Sequence, residues 1–262
     1  MNWLRRLLER LGLRRREPEP PLVPAGPISP TTGTIDDVLA RMEALDRELG
    51  PDDGVRWFNR LYLEVTRRVA AYDRGGKQES PGFLERLDVA FADLYFTALE
   101  AAGDGALPDR FPYRAWEPLF EARHHRGIAP VQFALAGMNA HINHDLALGI
   151  CAVCIERGVE PRRGSPEHTD YQAVNPLIAD AEKSVKDWLL TGALAELDRE
   201  FQPVDDVVAV WSVERARAAA WTRAEVLWHL RKERVLRDDY AEINDRAVGL
   251  ASRALLVPVG LV

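Results

Sequence analysis

The chain has 262 residues, with 34 Lys and Arg against 41 Asp and Glu, a formal net charge of -7 and two cysteines. A 47% hydrophobic, 29% charged composition excludes disorder of the whole chain, and two cysteines exclude a disulfide scaffold. No apolar run approaches the roughly 18 residues that cross a bilayer, so no transmembrane helix is expected.

Residues 1–16, MNWLRRLLERLGLRRR, hold six arginines and one glutamate, a balance of +5 that leaves -12 on the remaining 246 residues. Trp3, Leu4, Leu7, Leu8 and Leu11 fall on one helical face, with Arg5, Arg6, Arg10 and Arg14 on the others. This predicts a basic amphipathic helix, either an anchor on an anionic membrane surface, a docking peptide for a protein partner, or a helix folded back on the acidic body. Six prolines between Glu17 and Pro30 make residues 17–34 a linker, and residues 35–262 are read as one all-α domain. An acidic body argues against nucleic acid as a partner. With no secretory signal, the expected location is cytoplasmic, with peripheral membrane attachment through residues 1–16 as the one addition.

Asp36 and Asp37 open a predicted helix that runs to Leu49 and stops at Gly50-Pro51. The second starts near Asp53, carries Val55, Phe58, Leu61, Tyr62, Val65 and Val69 at helical spacing, and ends at Gly75-Gly76. A third spans Pro81 to Ala102, and a short one lies between Tyr113 and His125. Pro130 opens a long apolar helix to Arg157, and a loop rich in Gly and Pro follows it. The last helices are predicted over Tyr171–Thr191, Asp205–Leu230 and Arg234–Leu255, the final two either separate or continuous. No stretch alternates with period two. The fold class is therefore all-α: one bundle of about eight helices around a buried central helix, 130–157, preceded by a tethered amphipathic helix.

The central helix is apolar on both sides. Val131, Leu135, Met138, Ile142, Leu146 and Val153 share one face, while Gly137, Ala140, Ala147 and Cys151 form a stripe of small residues with His144 in its middle. Its polar residues, Asn139, His141, Asn143 and Asp145, then need buried partners. His141 and Asp145 stand four positions apart, on one side of the helix. That spacing lets them share a divalent metal (Zn, Mn or Fe), lets Asp145 orient His141 as a general base, or lets a hydrogen bond satisfy a core histidine. Asp88 lies on the apolar face of the third helix and is read as a third catalytic or metal-ligating group, or as the partner of an arginine such as Arg217. His168, at a loop-to-helix junction, completes the candidate metal set of His141, Asp145, Asp88 and His168. Asn139, Asn143, Tyr95, Arg217 and Trp221 are the candidate substrate-binding residues, for a small-molecule or lipid-like ligand. Cys151 and Cys154 form a CxxC inside a helix, where buried packing is expected instead of redox chemistry.

The segments DGVRWFNRLYLEVT (53–66), LDVAFADLYFTAL (87–99), AWEPLFEAR (115–123), VNPLI (174–178), ERARAAAW (214–221) and above all QFALAGMNAHINHDLALGI (132–150) resemble an all-helical family of high-GC bacteria known as a domain of unknown function. The resemblance implies a helical fold over most of residues 35–255 and gives weight to Asn139, His141, Asn143 and Asp145, without naming a reaction. HINHD is also similar to the H-x-x-x-D helix of zinc-dependent phospholipases C and related nucleases. The chain departs from them in lacking several further histidines of their trinuclear site, a signal peptide and a processed N-terminal Trp. Two functions follow as expectations: a metal- or His-dependent enzyme, or a non-catalytic helical module recruited by residues 1–16.

Overall fold

The computed structural model describes residues 33–103, 106–108, 111–180 and 212–258. The basic helix and proline linker, most of the helix expected to 191 and the start expected at Asp205 lie outside the described residues. Every regular element among the described residues is helical. They are α1 (Ile35–Glu48), α2 (Val55–Asp73), α3 (Phe83–Ala102), α4 (Glu117–Ala122), α5 (Pro130–Ala140), a π-helical turn (His141–Asp145), α6 (Leu146–Arg157), α7 (Pro166–Ala173), α8 (Val213–His229) and α9 (Arg234–Leu255). None is long and apolar enough to cross a membrane.

Local chemistry sets the boundaries. Thr34 caps α1 by accepting from the Asp37 amide at 3.2 Å, and the Asp37 carboxylate returns the bond to the Thr34 amide at 2.9 Å. Asp53 accepts from the Val55 amide and also binds the buried Arg123 guanidinium, tying the start of α2 to the end of α4. Gly103 and Gly158, at φ 59° and 66°, end α3 and α6 in conformations that a side chain would strain. α7 starts earlier than the expected Tyr171, because Ser165 accepts from the His168 amide and Pro166 takes the first helical position. α8 and α9 are separate helices, parted by a turn at 230–233.

α5, the π turn and α6 follow one another without a break, giving the expected central helix over 130–157. α2 and α9 pack on its first half and α3 and α8 on its second. The small residues lie where neighbours come closest. A Cβ on Gly137 would fall 2.4 Å from the Phe58 ring of α2, and one on Gly149 would touch Phe91 of α3 at 3.7 Å. Asn139 donates to the Val248 carbonyl at 3.1 Å and to Ser252 at 2.9 Å, and Asn143 donates to Asn139 at 3.0 Å. Asn244 reaches back to the Asn143 carbonyl at 3.1 Å. Asn139 and Asn244 thus fasten α9 to the central helix, and Asn143 orients the Asn139 amide.

Candidate functional site

The site begins with the π turn. Within it the Leu146 amide bonds to the His141 carbonyl, five residues back, so one extra residue is packed into the turn. This closes the angle between neighbouring side chains, and two imidazoles converge on one carboxylate. His141 Nδ1 lies 2.9 Å from Asp145 Oδ2, and His144 Nδ1 lies 2.7 Å from Oδ1. The indole N–H of Trp116, just before α4, donates to Oδ2 at 2.9 Å. His144 Nε2 is 3.5 Å from Asp245 Oδ1 of α9, too long for a hydrogen bond but close enough for charge attraction. Asp245, fully buried, accepts from the amides of Arg114 and Ala115 at 3.0 and 2.8 Å and so fixes the segment that carries Trp116.

Charge is distributed unevenly across this network. Burial works to raise the Asp145 pKa, but the hydrogen bonds from His141 and His144 outweigh it and hold the carboxyl below its ordinary range. An ionised carboxylate only accepts, so both Nδ1 atoms carry hydrogen. For His144, burial is opposed by the hydrogen bond and charge of Asp145 and by the charge of Asp245, and its pKa rises. For His141, burial prevails over Asp145 and the pKa falls. Of the two rings, His144 is the one whose surroundings favour the cation. His141 is neutral in its Nδ1–H tautomer, with the lone pair on Nε2.

That lone pair has no hydrogen-bond partner among the described residues. The ring is stacked on Phe91 and edged by Tyr62 and Phe58, with centroids 3.4, 4.5 and 5.5 Å away. His141 lines a cavity of about 60 Å³ between α2, α3 and the central helix, walled by Val65, Leu84, Met138, Ile142, Leu146 and other apolar groups. Asp88, Arg217 and Tyr62 line the same cavity. Among the described residues Asp88 Oδ2, like His141 Nε2, is a buried atom without a partner, and the Tyr62 hydroxyl has the Thr66 hydroxyl as its one polar neighbour. Burial pushes the Asp88 carboxyl up to about 7, against the pull of the Arg217 charge. Burial likewise raises the Tyr62 phenol well above its usual range.

The expected pairing of His141 with Asp145 is present, and Asp88 and Arg217 face the same cavity as His141. The alternative of an Asp88–Arg217 ion pair is not formed. The Arg217 guanidinium instead donates to Asn175 Oδ1 and to the Tyr171 carbonyl, each at 2.7 Å, and lies over the Tyr171 ring. Tyr95 stands behind Trp116 with its hydroxyl 3.5 Å from Asn59 Oδ1, and Trp221 packs among Phe83, Tyr171 and His168. Neither lines the cavity, nor do Asn139 and Asn143.

The metal set does not assemble. Among the described residues no three His, Cys, Asp or Glu side chains are grouped to hold a metal ion. Within the helix the Asp145 oxygens are taken by the N–H groups of His141, His144 and Trp116. His168 lies elsewhere, accepting from the Gly164 amide at 3.2 Å and packed on Trp221. Cys151 and Cys154 are free and buried, their thiols pushed up to about 11 and about 12 by burial. Sequence reading overlooked four contributors: Tyr62, Trp116, His144 and Asp245. Only His144, a histidine among Gly and Ala, carried a visible signal.

Fold and site together define an all-helical protein whose central helix holds a buried carboxylate between two imidazoles. The chain belongs to a family of unknown function (DUF5995), whose model matches residues 35–258. No curated protein matches it, and no solved structure does.

Proposed function

We propose that the protein binds a small or lipid-like molecule carrying an O–H or N–H group in the cavity beside His141, with His141 as the acceptor of that hydrogen and, in catalysis, the general base. The observation that carries this reading is the unpartnered Nε2 of a histidine whose other nitrogen is committed to an ionised carboxylate. Leaving a buried acceptor unmade costs about 1–3 kcal/mol, which a ligand hydrogen bond would recover. Asp145 is the orienting residue, holding tautomer and ring direction as the carboxylate of a catalytic triad does. Asp88 and Tyr62 supply a carboxyl and a phenol for the polar end of the ligand, and Arg217 a nearby cation. A cavity of roughly 150 Å³ accommodates benzene. At about 60 Å³ this one holds a fragment of a few heavy atoms, and a longer chain would have to displace its walls.

Nitrogen-15 spectra of the imidazoles test the reading. His141 is expected to show the neutral Nδ1–H tautomer at about pH 7, below which an ordinary histidine titrates. Its Nε2 resonance should move on titration with straight-chain alcohols from ethanol to 1-hexanol, and His141→Phe should show no saturable uptake. An Nε2 signal that stays in place, or equal uptake by the variant, removes the reading.

A second reading draws on the same network as a structural tie, since Trp116, Asp145, His144 and Asp245 connect the start of α4, the central helix and α9. In that case the protein is a non-catalytic module, and residues 1–16 recruit it to a protein partner or a membrane surface. Wild type would then bind none of the alcohols.

A further inference from the structure

α9 is amphipathic in an unusual sense. Its inner face, Ala241, Asp245, Val248, Gly249 and Ser252, is buried against the body. Gly249 comes so close to the segment before α4 that a Cβ there would lie 2.3 Å from the Arg114 carbonyl oxygen. The helix is therefore held firmly, and its other face is fixed in direction. That face is also apolar. Leu236, Tyr240, Ile243, Ala247, Leu250 and Ala254 follow one another at spacings of four and three, the seam of a coiled coil. Leu236, Ile243 and Leu250 are 58%, 69% and 70% exposed, and Ala247 and Ala254 are exposed beside them. Tyr240, between Leu236 and Ile243, is half-buried against the core and shows only part of its ring; an apolar stripe of this kind marks an interaction surface, whereas scattered apolar residues would not.

We propose that a second copy of this chain docks on this stripe, with the two α9 helices antiparallel about a two-fold axis. The order of residue sizes favours that partner. In antiparallel register, Leu236 meets Ala254 of the second copy, Ile243 meets its Ala247, and Tyr240 meets its Leu250. Two of the three layers set a large side chain against alanine, so that the helices can approach closely. In the same register the exposed Asp239 comes within reach of Arg253 of the second copy, once on each side of the axis, where it joins the Glu117 and Glu121 carboxylates that Arg253 already meets in its own chain. Arg246 meets its own copy at the axis, where Glu242 of the same helix neutralises it. A two-fold pairing is self-complementary by construction, as isologous interfaces require. The basic residues 1–16 are a poorer occupant, because outside its buried face α9 sets Arg234, Arg237, Arg246 and Arg253 against Asp238, Asp239 and Glu242, and so offers a basic segment no acidic surface. A seam formed by one helix from each copy falls at the low end of interface size, so the dimer should be reversible.

Sedimentation velocity of the full chain across a concentration series is expected to show monomer and dimer in exchange. Ile243→Glu and Leu250→Glu alter exposed positions, so each variant should keep its helical spectrum and melting temperature while sedimenting as a monomer throughout. The double variant Ile243→Cys/Ala247→Cys should form a disulfide-linked dimer on mild oxidation, since the antiparallel register places these two positions opposite each other and the native cysteines are buried. A wild type that is monomeric at every concentration overturns the proposal. So does a dimer that survives both glutamate substitutions, or a cysteine pair that does not cross-link copies.

Discussion

Asparagine in place of Asp88 keeps the size of the side chain and removes its titration, which isolates the cost of placing a carboxylate on the cavity wall. In the folded chain burial raises the carboxyl from its ordinary 3.8 to about 7, with the Arg217 charge opposing. A group with a raised folded pKa binds more protons folded than unfolded, so it destabilises the fold increasingly as pH rises from about 4 to about 7, and by a constant amount above that. At 1.36 kcal/mol for each factor of ten, the shift corresponds to at most about 4 kcal/mol. Asp88 is partly exposed although its Oδ2 is covered, and solvent screening brings the expectation to about 2 kcal/mol. Asp88→Asn should therefore match wild type within about 0.5 kcal/mol at pH 4 and exceed it by about 2 kcal/mol at pH 8, read from urea unfolding at both values. An equal gain at both pH values would show that the carboxylate is not strained by its surroundings. A loss at pH 8 would show instead that the ionised form is held by a favourable contact, the Arg217 pair foremost.

Three further substitutions examine the packing and the network. Asp145→Asn exchanges an acceptor of three hydrogen bonds for a group that can serve only some of them and leaves buried N–H groups unpaired; a loss of about 1–3 kcal/mol or more is expected in denaturant unfolding, and a loss below about 1 would mean that the network contributes little. Gly137→Ala drives a methyl into the Phe58 ring and should cost about 1–3 kcal/mol, while Gly50→Ala, where a Cβ meets nothing within 4 Å, should leave the midpoint within about 0.5 kcal/mol. Removal of residues 1–30 is expected to leave the thermal midpoint nearly unchanged, since the family match begins at 35; a drop of several degrees in calorimetry would show that the segment packs on the body.

The central helix was legible because an apolar pattern on both faces has one cheap solution, burial between other helices. The His141–Asp145 pair was legible for a related reason, since four residues of separation stay on one side of a helix whether its turns are α or slightly wider. The π turn itself was not, because no residue type encodes it. It coincides with the meeting of His141, His144 and Trp116 on one carboxylate, a contact made between separate parts of the chain. Asp145 was readable as a metal ligand from its spacing alone, but three N–H donors occupy its oxygens in the fold. Trp116 could not be found in advance: a buried tryptophan needs a partner for its N–H, but which one depends on how the segment at 113–116 is held, and Asp245 holds it from more than a hundred residues away. The start of α7 was missed although Ser165-Pro166 is a regular helix entrance, because the Gly and Pro preceding it read as loop.

The opposite pulls on the two histidines give the site directional chemistry. One carboxylate between two imidazoles could support either as the cation. Asp245 breaks the tie, because its charge faces His144 and not His141, and the aromatic rings around His141 offer a cation little solvation beyond their π faces. The surroundings thus favour positive charge on the α9 side of the network and a free lone pair on the cavity side. Neutralising Asp245 removes one of the charges that favour the cation on His144: Asp245→Asn should lower the His144 pKa and leave Asp145 to be shared more evenly between the two rings. A pH titration of both imidazoles by NMR would reveal this as a smaller separation between their two values than in the wild type. If the two values stay apart in the variant, the asymmetry originates in the ring cage around His141, and Asp245 serves only to hold the 114–116 backbone.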